Sequence, residues 1–288
     1  MDTSSLNPTE LVRVASFNLH SNPDLYHERV AGVLKESHER NVDILLIQEL
    51  LASEKDVVVE SFANAGYVHS FVSEPSANKK IGSEGSSTAV FSKLPVELSR
   101  SLNMTALSGA QKAATAVLYV NGHEVHVISV HLAWGAENSF LRLKQSMLLA
   151  DYARRAKDKN EDVIVIAGGT FNDLADGDSV RYLKGRKASD DTQSTYWVDV
   201  AENTELESKD TTRHGSHWGI ISAERTGILV PSAVPERRAD YLFVHGWIYG
   251  RAGMPLEPEL FGVSKTVQGY ELSDHYGVQS LIWLPHKF

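Results

Sequence analysis

Apolar runs in this chain repeatedly end on polar residues of the kind that handle phosphate and metal. Leu11 to Phe17 runs into Asn18, Ile44 to Ile47 into Gln48 and Glu49, and Val125 to Val130 into His131. Val163 to Ala167 continues through Gly168 and Gly169 to Thr170 and Asn172. Two further runs carry the polar group at their start: Asp240 before Tyr241 to Val244, and Asp274-His275 before Tyr276 to Val278. Short apolar runs bounded by turn residues predict strands. The end of one strand lies beside the start of an antiparallel neighbour. The pattern therefore predicts that Asn18, Glu49, His131, Asn172, Asp240, Asp274 and His275 collect on one sheet edge as an active-site rim.

Helical spacing is clear in two places. Residues 26–39 put Val30, Val33 and Leu34 on one face and charges on the other. Residues 138–158 predict a longer helix with Leu141, Leu143, Met147, Leu148, Leu149 and Tyr152 as its apolar side; Arg154, Arg155 and Lys157 lie near its end, where cations suit the dipole. Further strands are expected at 87–93, 95–100 and 113–120, and Asn121-Gly122 predicts a tight hairpin turn. Mixed pairing with helices between some strands gives an α/β class with two sheets face to face. Residues 1–10 read as a flexible N-terminus and 11–288 as one domain. Residues 73–87 and 202–238 read as loops. The second holds Arg213, His214, His217 and Trp218 and leads into Asp240, so these four are candidate substrate-binding residues; a surface excursion around a buried Trp is an equally good reading.

Composition narrows the partners. The chain has 288 residues with a net charge of -9, and its basic residues cluster only briefly, as at Lys79-Lys80 and Arg237-Arg238. An acidic chain repels a polyanion unless its cations share one face, so a small-molecule or lipid phosphoester is favoured over long nucleic acid. There is no cysteine, which excludes disulfides, thiolate metal sites and cysteine nucleophiles. No apolar run approaches the roughly 20 residues of a transmembrane segment. The start, Met1-Asp2-Thr3-Ser4-Ser5, lacks signal-peptide character, so a cytoplasmic location is expected.

The motifs Ser16-Phe17-Asn18, Ile47-Gln48-Glu49, Val130-His131-Leu132, Gly169-Thr170-Phe171-Asn172, Arg238-Ala239-Asp240-Tyr241 and Ser273-Asp274-His275 resemble, in order, those of the endonuclease/exonuclease/phosphatase superfamily. The resemblance spans about residues 12–284. It implies a four-layer αββα sandwich of two mixed β-sheets and a metal-dependent phosphoesterase, most simply a phosphodiesterase using in-line water attack. It also implies roles: Glu49 as main metal ligand with Asn18 and Asp274 in or beside its shell, His275 held by Asp240 against the phosphate, His131 near phosphate or leaving group, and Asn172 donating to a phosphoryl oxygen. The oxygen donors suit Mg²⁺ or Mn²⁺ better than Zn²⁺.

The departure is Thr170, which stands where the family pattern Gly-Asp-x-Asn carries the aspartate that orients or deprotonates water. A threonine hydroxyl binds water but cannot accept a proton at neutral pH. Asp173 and Asp176 are the nearest carboxylates that could substitute, although Asp173 directly follows Asn172 and should point elsewhere. The alternatives are a hydrolase with a weakened or different base, and a non-hydrolytic relative that binds or performs changed chemistry.

Overall fold

The computed structural model describes residues 5–76, 85–104, 112–188, 196–202, 238–245 and 251–287. Two six-stranded sheets form from the expected runs. One is ordered β11 (Met254–Phe261), β12 (Gly277–Trp283), β1 (Leu11–Asn18), β2 (Ile44–Leu51), β4 (Ser86–Ser92) and β3 (His69–Val72). The other is ordered β5 (Val96–Asn103), β6 (Lys112–Val120), β7 (His123–His131), β8 (Ile164–Thr170), β10 (Asp240–His245) and β9 (Trp197–Asp199). Both are mixed: β1–β2 and β7–β8 are parallel, while β1–β12 and β8–β10 are antiparallel.

Alternation along the strands sends side chains to two cores. Val12, Val14, Ile44, Leu46, Val125, Val127, Ile164 and Ile166 pack between the sheets. Ala15, Phe17, Leu45 and Ile47 face outward, in one cluster with residues of α1 (Tyr26–Glu39) and α2 (Lys55–Asn64). Ile128, Val130, Val165 and Ala167 do the same with α3 (Ser139–Lys159) and α4 (Asp178–Leu183). The layers are thus helix, sheet, sheet, helix.

Each parallel pair needs a crossover helix, so β1–α1–β2 and β7–α3–β8 are matching units, one per sheet. The hairpin turn between β6 and β7 also forms as the sequence indicates: Asn121 and Gly122 have φ of 52° and 82°, both positive as a type I′ turn requires. Helix 26–39 has the expected bounds, and the others differ by a residue or a few.

Two expectations change. The polar strand ends come from both sheets and meet at one end of the sandwich, because the runs divide between two facing sheets. The buried face of α3 is Arg142, Gln145, Ser146, Leu149, Ala150, Tyr152 and Ala153; of the expected apolar side only Leu149 and Tyr152 are buried, while Leu141, Leu143, Met147 and Leu148 are half-buried. Its first two turns therefore bury polar groups that the apolar pattern passes over. Within the segment expected to be flexible, Pro8–Glu10 form a 3-10 turn, and the Leu284 N–H donates to the Glu10 carbonyl at 2.6 Å.

Candidate active site

Strand parity builds the site. Continuing the inward positions toward the polar end gives a layer of Ser16, Gln48, Ser129 and Gly168, then a last layer of Asn18, His131, Thr170 and Asp240. The first layer fastens the sheets together. Gln48 Nε2 donates to Ser129 Oγ at 3.0 Å, and Ser129 Oγ donates to the Ile47 carbonyl at 2.7 Å. A Cβ at Gly168 would come within 2.8 Å of Leu46 and 2.9 Å of Leu242, so any larger residue here would push those two side chains aside.

In the last layer Thr170 is the central residue. It pairs in register with His131 on one side and Asp240 on the other. Its hydroxyl donates to Asp240 Oδ1 at 2.6 Å and accepts from Asn18 Nδ2 at 3.0 Å. The second Asp240 oxygen bonds His275 Nδ1 at 2.7 Å, and His275 Nε2 lies 3.8 Å from Asp274 Oδ1. Asn18 Nδ2 also donates to Glu49 Oε1 at 3.2 Å. One polar chain therefore links Glu49, Asn18, Thr170, Asp240 and His275, residues distant in sequence. Asn18, Thr170, Asp240 and His275 are buried.

Glu49 is held in an unusual backbone state. It sits where the β2–β4 register shifts between Ile47 and Leu50, with φ of 55°. A bulge of this kind re-aims a side chain, and a non-glycine residue in the left-handed region is uncommon. Its Oε2 accepts from the Ser21 N–H at 2.8 Å and the Ser21 hydroxyl at 2.9 Å, and His131 Nε2 lies 3.7 Å from Oε1. Burial pushes the Glu49 carboxyl upward, but the His131 and His20 imidazoles, the Ser21 N–H and His275 outweigh it and hold its pKa below the usual carboxylate range. His20 stands 3.2 Å from Asp274 Oδ1, and burial, with Arg29 and His275, pushes its pKa down despite Asp274 and Glu49.

Asn172 and Asp173 separate at the next turn. Asn172 has φ of 53°, and its Nδ2 donates to the Leu132 carbonyl at 2.9 Å. That leaves one amide hydrogen for another acceptor. Asp173 Oδ2 accepts from the Ser179 hydroxyl at 2.7 Å, and Asp176 is exposed. Asp173 thus turns toward α4, away from the Thr170 cluster.

Two buried arginines brace the loops that carry these groups. Arg29 and Arg142 each lie eleven residues past the polar strand end of their unit, Asn18 and His131 respectively. Arg29 bonds the carbonyls of Leu19, His20, Asn22 and Asp24. Arg142 Nη1 donates to the Ala133 carbonyl at 3.1 Å and the Gly135 carbonyl at 2.6 Å. Neither arginine is signalled by its motif; a charged residue on the buried 3.6-residue face of each helix is the available clue. His20 and Ser21 carry no periodic signal. Arg213, His214, His217 and Trp218 lie outside the described residues.

The oxygen donors at this end of the sandwich are of the kind a hard divalent cation takes. Glu49 and Asp274 carry carboxylate oxygens and Asn18 an amide oxygen, which here accepts from the His20 N–H at 2.8 Å, and the Glu49 side chain remains 18% exposed. Among the described residues no three His, Asp or Glu side chains gather as a metal-binding group. Mg²⁺ is bound through one or two carboxylates with waters and substrate phosphate, not by an all-protein cage.

The profile of the Endonuclease/Exonuclease/phosphatase family matches residues 15–275. No curated protein matches the chain in sequence. Among solved structures, D. rerio TDP2 complexed with single strand DNA product superposes with a TM-score of 0.69 at 20% identity, over 94% of this chain and 98% of that one. TDP2 from C. elegans gives 0.69 at 18% identity, over 95% and 75%. The human Nocturnin catalytic domain with bound sulfate anion gives 0.68 at 16% identity, over 95% and 93%.

Proposed function

The chain belongs to the endonuclease/exonuclease/phosphatase family, and from that premise we propose that it is a divalent-metal-dependent phosphodiesterase. The observation that supports this reading most is the continuous polar chain from Glu49 through Asn18, Thr170 and Asp240 to His275. A merely structural set of strand-end residues has no need to join a bulge carboxylate to a carboxylate-held imidazole across two sheets.

In this reading Glu49 and Asp274, with the Asn18 amide oxygen, hold Mg²⁺ or Mn²⁺. The cation, when bound, neutralises charge on the phosphoryl oxygens. Asp240 fixes the His275 ring through Nδ1, so that Nε2 is the nitrogen available to the phosphate. Asn172 offers its remaining amide hydrogen to a phosphoryl oxygen, and His131 flanks the other side of Thr170. Water adds in line to phosphorus, the opposite ester bond breaks, and the proton that the water gives up ends on the leaving oxygen. Thr170 does not deprotonate that water, because a hydroxyl is no base at neutral pH, and its oxygen already donates to Asp240 and accepts from Asn18.

Net charge favours a small or lipid phosphoester, but a structural neighbour is described in complex with single-strand DNA product, so overall charge does not decide against nucleic acid. Among the described residues no helix is long and apolar enough to cross a membrane.

The test is hydrolysis of bis-p-nitrophenyl phosphate by the wild type and by His275→Ala. The variant is expected to lose about 10²–10⁴ in turnover, the range for a positioned acid–base group. Equal turnover in the two proteins removes His275 from the mechanism.

A further inference from the structure

The two oxygens of Glu49 stand in different surroundings. Oε2 accepts from the Ser21 N–H at 2.8 Å and from the Ser21 hydroxyl at 2.9 Å. Oε1 accepts from Asn18 Nδ2 at 3.2 Å, while His131 Nε2 stands at 3.7 Å, beyond hydrogen-bond reach. A carboxylate oxygen has two lone pairs. Among the described residues, Ser21 therefore fills both acceptor positions of Oε2, and Oε1 keeps one.

Both ends of the Ser21–Glu49 contact are held in place. Arg29 of α1 bonds the carbonyls of Leu19, His20, Asn22 and Asp24, which flank Ser21 on both sides. Within the same loop the His20 N–H donates to Asn18 Oδ1 at 2.8 Å, and Asn22 Oδ1 accepts from the Asp24 N–H at 2.8 Å. On the other side, Glu49 sits at the bulge of β2 with φ of 55°. Asn18 Nδ2, the donor to Oε1, is tied at 3.0 Å to Thr170 Oγ1 as well. The carboxylate is thus kept in one orientation, with Oε2 turned into the Ser21 loop.

We propose that Ser21 sets which divalent cation this site takes: by occupying Oε2 it leaves Glu49 one oxygen to offer, which favours Mg²⁺ or Mn²⁺ over Ca²⁺. Mg²⁺ and Mn²⁺ take octahedral oxygen sites, for which a single carboxylate oxygen suffices. Ca²⁺ is larger, takes about 6–8 oxygens, and accommodates both oxygens of one carboxylate. Ser21 acts through Glu49 and is a positioning residue. This rests on the divalent-metal reading of the same site and names what selects the ion.

The experiment titrates the metal-stripped full chain with MnCl₂ and, separately, with CaCl₂ by calorimetry. The wild type is expected to bind Mn²⁺ more tightly than Ca²⁺. Ser21→Ala opens the second oxygen and leaves the carboxylate less fixed. It should lose about 10- to 100-fold in Mn²⁺ affinity, the usual effect of removing a partner that orients a ligand, while its Ca²⁺ affinity holds or rises. Ser21→Thr keeps the hydroxyl and should restore the wild-type preference, with coincident far-UV spectra for all three proteins. A general loosening of the loop would weaken both ions alike. Equal losses for the two ions, no loss for Mn²⁺, a wild type that binds Ca²⁺ as tightly as Mn²⁺, or a threonine variant that behaves as the alanine one overturns the role of Ser21 and leaves the metal-dependent reading intact. A wild type that binds neither ion overturns both.

Discussion

Thr170 Oγ1 donates a hydrogen bond of 2.6 Å to Asp240 Oδ1, the carboxylate that also holds His275. An aspartate at 170 would stand against Asp240 as a like charge, whereas the threonine hydroxyl donates to it.

Thr170→Asp returns a carboxylate to this position. Turnover on bis-p-nitrophenyl phosphate should rise at least tenfold, toward the ~10²–10⁴ that a positioned base supplies. The two adjacent carboxylates should titrate as a coupled pair and add an ionisation to the pH–rate profile. A fall in turnover would assign the hydroxyl a direct part in the reaction. Thr170→Val tests the structural side. It strips a partner from Asp240 Oδ1 and Asn18 Nδ2, and urea denaturation should show a loss of about 1–3 kcal/mol.

Ser129→Ala addresses the fastening between the sheets. The Ser129 hydroxyl donates to the Ile47 carbonyl across the sandwich and accepts from Gln48 Nε2. Its removal should cost about 1–3 kcal/mol, and activity should fall as well, because Ile47 and Gln48 immediately precede Glu49. Unchanged stability would show that the layer contributes nothing beyond packing.

A separate pH dependence arises at His245, buried at the far end of β10. Burial, with Lys157 adding repulsion, pushes its pKa down to about 4. The unfolded imidazole titrates near ~6.5, so between those values the unfolded chain binds more protons than the folded one. The contribution to stability is complete above about pH 6.5 and is lost as pH falls toward 4, approaching ~3 kcal/mol. Denaturation at pH 7 and pH 5 should show this drop in the wild type and a smaller one in His245→Phe. Parallel curves for both proteins would contradict it.

Much of this was legible in the chain because period and turn chemistry are local. Asn121-Gly122 specifies its turn by positive φ alone, and the apolar runs give the strands and their polar ends. The division of those ends between two sheets was not legible, since strand pairing is a long-range choice. Arg29 and Arg142 were obscured for a different reason. A buried guanidinium is satisfied by loop carbonyls, a partnership no periodicity records. His20 and Ser21 reach Glu49 only because a loop turns back on a bulge, so their roles emerge in three dimensions. Asp173 was the reverse case: its position directly after Asn172 indicated a different direction, and it bonds Ser179.

The most direct test of the central claim is a Mg²⁺ and Mn²⁺ titration of bis-p-nitrophenyl phosphate hydrolysis, comparing the wild type with Glu49→Gln. The account predicts saturable activation by metal, abolition by EDTA, and a variant whose rate stays at the metal-free level throughout. Hydrolysis by the wild type that EDTA leaves unchanged, or full metal activation of Glu49→Gln, would contradict it.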